Sequence, residues 1–325
     1  MKLNASHLRY LEADDWRILA ALEAGSNNHE LVPIDLIARF SGIRPGGVRK
    51  RLQELARYKL ISFEEEGIRL GYGGYDYLAF NALINRGSVT ALGNQIGVGK
   101  ESDIYLGDDG EGVCRVLKIQ RLGRTSFRTV KSNRDYHGRR QHTSWLYLSR
   151  LAAHKEFQFM RALFDRGFPV PEPIDISRHV IVMQHIRGRR LGEFSNGELE
   201  ERQACQLLEQ ALGMLTGLAK VGLIHGDLNE FNMMVEDGTC SSGEVGSKLY
   251  MIDFPQMVST KHQNAREYFQ RDYDCIVTFF GKRFGVTNPR VIDYEALVSS
   301  NDTEVIIEEN DRLDLECQAS GFSND

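Results

Sequence analysis

The chain has 325 residues, 42% of them hydrophobic, and a formal net charge of −5, a size beyond what one hydrophobic core usually serves, so two domains or a lobed domain with an appendage are expected. Cys114, Cys205, Cys240, Cys275 and Cys317 are odd in number and scattered, with no Cys-x-x-Cys pair, which speaks against a disulfide framework and a cysteine zinc site and for a reducing compartment. No apolar signal core follows Met1 and no run approaches the roughly 20 apolar residues of a membrane span, so a soluble monomer with no membrane partner, cytoplasmic and also nuclear, is expected.

Residues 7 to 70 carry three helical patterns, Asp14–Glu23, Pro33–Phe40 and Pro45–Tyr58, followed by short strands at Ile61–Phe63 and Ile68–Leu70. In the third helix Val48, Leu52, Leu55 and Ala56 keep helical spacing and leave Arg49, Lys50, Arg51 and Arg57 mostly on the wetter side. This predicts a winged helix-turn-helix over residues 1–76. Its four basic residues are candidates for neutralising nucleic-acid phosphates, the bland alternative being a solvated face on a protein-docking module. Gly71 to Asp76 reads as a break, and Tyr77 to Ile84 as a connecting helix within a linker of 77–87.

From Ser88 the pattern changes to short strands, Ala91–Ile96, Asp103–Leu106 and Val113–Ile119. Gly97, Gly99, Lys100, Glu101 and Ser102 occupy the first turn, where glycines let backbone amides approach phosphate oxygens, although an ordinary tight turn also needs glycine. It is not a Walker motif. Lys118 is embedded in an apolar strand, a costly position unless a phosphate or carboxylate meets it; an outward-pointing edge lysine is the plain alternative. Glu156 is its candidate ion-pair partner, with Glu101 competing.

Residues 121–143 form an expected mobile loop, in which Arg121, Arg124, Arg128, Lys131, Arg134, Arg139 and Arg140 face a single acid, Asp135. Ser126, in this loop, is a candidate autophosphorylation site. A helix over Trp145–Asp165 and a buried strand at Val180–Met183 follow. Met183 and Ile186 stand where a strand exit could flank an adenine ring, closing a segment of 88–186. The helix Leu199–Val221 opens a further segment of 187–300, which also holds helices at Asn264–Gly281 and Asp293–Val298; an acidic tail of 301–325 ends the chain.

The chemistry concentrates in His225-Gly226-Asp227-Leu228-Asn229-Glu230-Phe231-Asn232 and in Met251-Ile252-Asp253-Phe254-Pro255. Two carboxylates and an amide at this spacing can orient a nucleophile and hold Mg²⁺ against nucleotide phosphates. Asp227 is the candidate base, Asn232 and Asp253 the candidate metal ligands, and Asp253 also a candidate acceptor of the γ-phosphoryl group. His225 is expected to be a satisfied structural side chain. Strands at Asn232–Val235 and Leu249–Asp253 bracket a polar loop. Pro255 stands where a flexible glycine usually follows such an aspartate, and no Ala-Pro-Glu lies downstream, so a platform for peptide substrates is not expected.

Together with Gly97-x-Gly99-Lys100-Glu101-Ser102-Asp103, Arg124-Thr125-Ser126-Phe127-Arg128 and Ser144-Trp145-Leu146-Tyr147-Leu148-Ser149-Arg150, these segments resemble the RIO family of atypical protein kinases, in the branch with a winged helix before the kinase domain. The resemblance implies an α+β fold, an N-terminal winged helix followed by a two-lobed protein-kinase-like domain, with ATP and Mg²⁺ as cofactors. It implies that Lys118 contacts phosphates, Asp227 is catalytic, and Asn232 and Asp253 hold metal. It further implies a serine kinase or ATPase whose cycle and autophosphorylation assist late maturation of the small ribosomal subunit, with a pre-ribosomal particle of rRNA, ribosomal proteins or assembly factors as partner. A conventional serine/threonine kinase with separate protein substrates, or a catalytically silent nucleic-acid-binding scaffold, are the alternatives.

Overall fold

The computed structural model describes residues 6–122, 145–237, 247–287, 292–299 and 312–319. The expected mobile loop of 121–143 does not begin at Arg121, which is buried and ion-paired with Asp76 and Asp103, and Leu122 is also buried; residues 123–143, with Ser126, and most of the acidic tail lie outside the described residues. The described chain is a mixed α+β structure in two compact units, one of residues 6–122, 145–154 and 174–183, the other of residues 155–173 and those from 184 onward.

The first unit opens with α1 (Ala13–Gly25), α2 (Ile34–Ser41) and α3 (Pro45–Arg57), then β1 (Ile61–Glu64) antiparallel to β2 (Gly67–Leu70). A capping box between Glu12 and Asp15 starts α1, satisfying amides that a helix start leaves without intrahelical partners. Val48, Leu52 and Leu55, the apolar stripe of α3, are fully buried against Ile18, Leu22 and Ile37. Each such side chain contributes about 1.5–3 kcal/mol by leaving water.

The run Gly71 to Asp76 is not a break. It enters α4 (Tyr72–Asn85), and Gly73, Gly74, Tyr75 and Asp76 are all buried. The glycines serve close approach rather than a turn: a Cβ on Gly74 would stand 2.5 Å from the carbonyl oxygen of Leu60. Tyr75, Tyr77 and Leu78 belong to the winged-helix core, while Ala79, Phe80 and Leu83 pack with Val89, Leu117, Ile119, Val180 and Val182 of the next core. A helix apolar on most of its circumference is one buried on most sides, so α4 is shared between two cores instead of acting as a linker.

That second core lies on a five-stranded sheet of β3 (Ala91–Val98), β4 (Ser102–Asp108), β5 (Cys114–Gln120), β6 (Pro173–Ser177) and β7 (Val180–Gln184), in the order β3-β4-β5-β7-β6. Between β5 and β6 comes α5 (Trp145–Asp165), whose first ten residues belong to the first unit and the rest to the second.

In the second unit β8 (Gly188–Arg190), β10 (Met233–Glu236) and β11 (Leu249–Met251) form one small sheet, and β9 (Leu223–Ile224) pairs with β12 (Val258–Ser259) in another. Around them stand α6 (Glu201–Lys220), α7 (Ala265–Phe284), α8 (Tyr294–Ser299) and α9 (Leu313–Glu316). The expected stripe of α6, Ala204, Leu207, Leu208, Ala211, Leu215 and Leu218, is buried throughout. The described end of the acidic tail is packed: Asp314 is fully buried, and Cys317 and Ala319 are buried beside it.

Candidate active site

Strand pairing joins the two sequence motifs. The loop 225–232 runs from β9 to β10 and the loop 252–257 from β11 to β12, while β9 pairs with β12 and β10 with β11. Each loop is therefore clamped to the other at both ends, and the Ile252 amide donates to the Asn232 carbonyl at 2.9 Å.

Within the first loop Gly226 has φ of +77°, a left-handed conformation that costs glycine little and other residues more. A Cβ there would also meet the Gln256 carbonyl oxygen at 2.9 Å. The Gly226 and Leu228 amides donate to the two oxygens of Asp272 on α7, at 2.8 and 3.0 Å, and Arg271 donates to the Gly226 carbonyl. Asp227 is thus held from both sides by its neighbours' backbone.

The Asp227 carboxylate accepts from Asn229 Nδ2 at 3.0 Å, Asn232 Nδ2 at 3.1 Å and Gln256 Nε2 at 3.3 Å. Asn232 Nδ2 also reaches the Asp227 carbonyl at 2.9 Å. Partial burial raises the Asp227 pKa, the neighbouring Asp253 charge raises it further, and Asn232, Arg271 and Asn229 oppose the rise. The electrostatic coupling to Asp253 puts two carboxylates in one site.

Asp253 lies beyond the strand, which ends at Met251 rather than reaching residue 253, and its φ is +70°. A non-glycine residue in this region is uncommon, and such outliers cluster at functional sites. Phe254, next to it, is buried with its ring 6.0 Å from that of His225. His225 is fully buried; its ring nitrogens meet no partner in strict hydrogen-bond geometry among the described residues, and the Ile252 carbonyl is the backbone acceptor it faces. Burial pushes the imidazole down to about 4, against the Asp253 charge and the Ile252 carbonyl, leaving the ring neutral.

No cluster of three or more His, Cys, Asp or Glu side chains able to hold a metal occurs among the described residues. The set of Asn232, Asp227 and Asp253 offers oxygen donors of the kind Mg²⁺ takes, and Mg²⁺ is commonly bound by one or two carboxylates together with substrate phosphates rather than by an all-protein cage. Asn232 commits its Nδ2 to Asp227, which leaves its Oδ1 for a cation. The residues present fit the ion.

The remaining candidates are placed as follows. Gly99 and Lys100 are exposed, with Gly97, Glu101 and Ser102 half-buried; the Gly99 amide closes the turn on the Ser102 carbonyl at 2.7 Å. Lys118 is buried in β5, opposite Ile104 of β4, with β7 on the other side, so it does not stand on a sheet edge. Glu156, on α5, is 1% exposed. Met183 and Ile186 are buried at and just beyond the end of β7.

On α3, Arg49, Lys50 and Arg57 are exposed, but Arg51 is not one of a uniform set of four. It is partly buried and paired with Glu12, with Asp15 at 3.3 Å and with Glu54 at 3.9 Å. Spacing alone missed Asn229, Gln256, Arg271 and Asp272. For Asp272 a signal existed: it follows Phe269 by three residues and precedes Ile276 by four, an acid on the apolar stripe of α7.

A model of the RIO domain matches residues 103–294, and one of the Rio2 N-terminal region matches residues 8–86. The chain is 46% identical over 327 residues to the serine/threonine-protein kinase RIO2 of Caenorhabditis elegans, covering 99% of this chain and 58% of that protein. It is 46% identical over 328 residues to serine/threonine-protein kinase rio2 of Schizosaccharomyces pombe, covering 99% and 89% respectively. The crystal structure of the Rio2 kinase-ADP/Mg²⁺-phosphoaspartate complex from Chaetomium thermophilum superposes with a TM-score of 0.84 at 43% identity, covering 99% of this chain and 95% of that one. The chain spans under two thirds of the nematode relative.

Proposed function

Because the chain belongs to the RIO family, in the branch of the Rio2 serine/threonine-protein kinases, we propose that it transfers the γ-phosphoryl group of ATP in a Mg²⁺-dependent reaction, and that this cycle governs its association with a pre-ribosomal small-subunit particle in the cytoplasm. The observation that carries the chemistry is the mutual clamping of the two loops, with Asp227 hydrogen-bonded by Asn232 and electrostatically coupled to Asp253.

Asp227 orients an attacking hydroxyl or the water that cleaves the acyl phosphate and takes its proton, helped by a pKa that partial burial and the Asp253 charge raise. Asn232 and Asp253 are the ligands proposed for Mg²⁺, which supplies positive charge against the phosphates. The turn from Gly97 to Ser102 is assigned to the phosphates and Met183 and Ile186 to the adenine, with Lys118 on the α- and β-phosphates. These groups are set by strands and turns of the same chain.

The phosphoaspartate in the related complex supports Asp253 as an acceptor. A carboxylate oxygen of Asp253 forms a bond to the γ-phosphorus, the bond from that phosphorus to the bridging oxygen breaks, and ADP leaves with the electron pair. Water then attacks the acyl phosphate, restoring the carboxylate and releasing inorganic phosphate. In this scheme ATP turnover, rather than a broad substrate range, is the output.

Single-turnover ATP hydrolysis with and without purified pre-ribosomal small-subunit particles tests the proposal, which expects the rate to respond to the particle. Phosphorylation of a panel of unrelated peptides at rates on the order of 1–100 s⁻¹ would instead identify a conventional kinase. Absence of any turnover would leave a silent scaffold.

A further inference from the structure

Arg121, the first residue after β5, reaches three separate elements of the first unit. Its backbone amide donates to the Glu101 carbonyl. Its Nε donates to Asp103 Oδ2 at 3.3 Å, and its Nη1 and Nη2 fork onto the two oxygens of Asp76 at 2.6 and 2.8 Å. All three residues are 5% exposed or less.

Asp76 is itself held firmly. It sits on α4 between Tyr75 and Tyr77 of the winged-helix core, and its Oδ1 is 2.7 Å from His179 Nε2. The residue before that histidine, Arg178, forks onto Glu23 of α1 with two bonds of 2.7 Å and donates to the Leu78 carbonyl at 3.0 Å. Burial lowers the His179 pKa despite Asp76, so the imidazole is neutral. The guanidinium, by contrast, is kept charged by Asp76 and Asp103 although burial opposes it.

At the other end of the network the tip of the turn faces solvent, while the strands on either side pair, Val98 with Asp103 and Ser102 with Gln120. Val98 is 71% exposed and Gly99 and Lys100 are exposed, while the Gly99 to Ser102 bond closes the turn from within. A buried guanidinium with two carboxylates is a poor route to stability compared with apolar packing, and its value here is geometric: it ties a solvent-facing turn to a packed helix. A turn already ordered before the ligand arrives lowers the entropic cost of binding.

We propose that Arg121 is a positioning residue for the phosphate-binding turn, clipping Gly97–Asp103 to Asp76 so that the winged-helix core sets the turn's geometry and thereby the protein's affinity for nucleotide. The proposal rests on the nucleotide-binding role assigned to that turn above. It gives the winged helix a part in nucleotide binding that needs no contact with the nucleotide.

The test is Arg121→Lys in the full chain, which keeps the charge near Asp76 but cannot form the fork and the Asp103 bond together. The Kd for Mg²⁺·ADP and the KM for ATP are expected to rise about tenfold with kcat changed by no more than about twofold. In the nucleotide-free protein, hydrogen exchange at the Gly99 amide is expected to quicken by about tenfold. Asp103→Asn, which leaves the Asp76 fork intact, is expected to move both readouts the same way and carries the test if Arg121→Lys does not fold.

A role confined to stability would lower kcat through a smaller active fraction while Kd and Gly99 exchange stay put, and that result overturns the proposal. If the wild-type protein fails to bind Mg²⁺·ADP, the proposed function falls, while Gly99 exchange in the nucleotide-free protein still decides whether the clip orders the turn.

Discussion

Asp272 Oδ1 accepts the backbone amide of Leu228 at 3.0 Å, while its other oxygen accepts that of Gly226 at 2.8 Å. One carboxylate on α7 therefore fixes the residues on both sides of Asp227. Burial pushes its pKa up to about 6, against the stabilising pull of these two amides.

Asp272→Asn replaces one accepting oxygen by a donor facing an amide. The loop should shift, and kcat for ATP turnover should fall on the order of 10²-fold through misplacement of Asp227, with KM for ATP little changed. Steady-state kinetics check this; a change confined to KM would show that Asp272 acts elsewhere. In the wild type, activity should decline below about pH 6 as Asp272 takes up a proton and loses acceptor capacity.

On α3 the basic residues should separate by experiment. Charge reversal of the exposed Arg49, Lys50 and Arg57 should weaken RNA binding and lower the slope of log K against log salt by roughly one for each phosphate no longer neutralised. Arg51→Ala should leave that slope alone and destabilise the winged helix by about 2 kcal/mol, because its charged hydrogen bonds to Asp15 and Glu12 disappear. Filter binding at several salt concentrations together with urea unfolding distinguishes the two classes; equal slopes for all four variants would contradict the assignment.

Much of this organisation was legible in the sequence because the decisive residues are close in the chain or follow one period. Asp227 and Asn232 share a single loop, and the stripes of α3 and α6 alternate as helices require. What was hidden depended on partners far away in sequence. Gly71 to Asp76 has the composition of a turn, and only the approach of Leu60 reveals why glycine is needed inside a helix. The apolar period of α7 indicates that Asp272 is buried, but not that its carboxylate meets a loop 44 residues earlier. Similarly, Arg51 has the spacing of an outward cation, and its partners on α1 draw it in.

The acidic tail offers a second such case. Asp314, fully buried, accepts from Ser259 Oγ at 2.6 Å and from Arg312 at 2.6 and 2.9 Å, while the Leu313 amide donates to the Val221 carbonyl at 3.0 Å. These bonds reach both strands of the β9/β12 pair at one end, the end away from the loops that carry the site. Asp314→Ala should cost about 3 kcal/mol, because Ser259 is left buried without its acceptor and the partly buried ion pair with Arg312 is lost. Denaturant unfolding measures it, and an unchanged midpoint would mean that the segment is not docked in solution.

His225 gives the fold an acid-side dependence. Its folded pKa of about 4 lies below the unfolded value of 6.5, so the unfolded chain binds the extra proton between these values. Stability should be unaffected above about pH 6.5 and fall on the order of 3 kcal/mol as pH drops toward 4. His179, whose pKa burial also lowers, acts in the same direction. Unfolding free energies across this window should show a shallower pH dependence in His225→Leu, which cannot titrate; an identical profile would contradict the neutral, buried assignment.

The convergence of Asp227 and Asp253 on one phosphoryl group is tested most directly by a single-turnover quench with ATP labelled at the γ-phosphate and Mg²⁺ present. The expected result is protein-bound label that hydroxylamine releases in the wild type, none in Asp253→Asn, and a turnover rate reduced on the order of 10²–10⁴-fold in Asp227→Ala. Label that survives hydroxylamine, or undiminished turnover in Asp227→Ala, would contradict it.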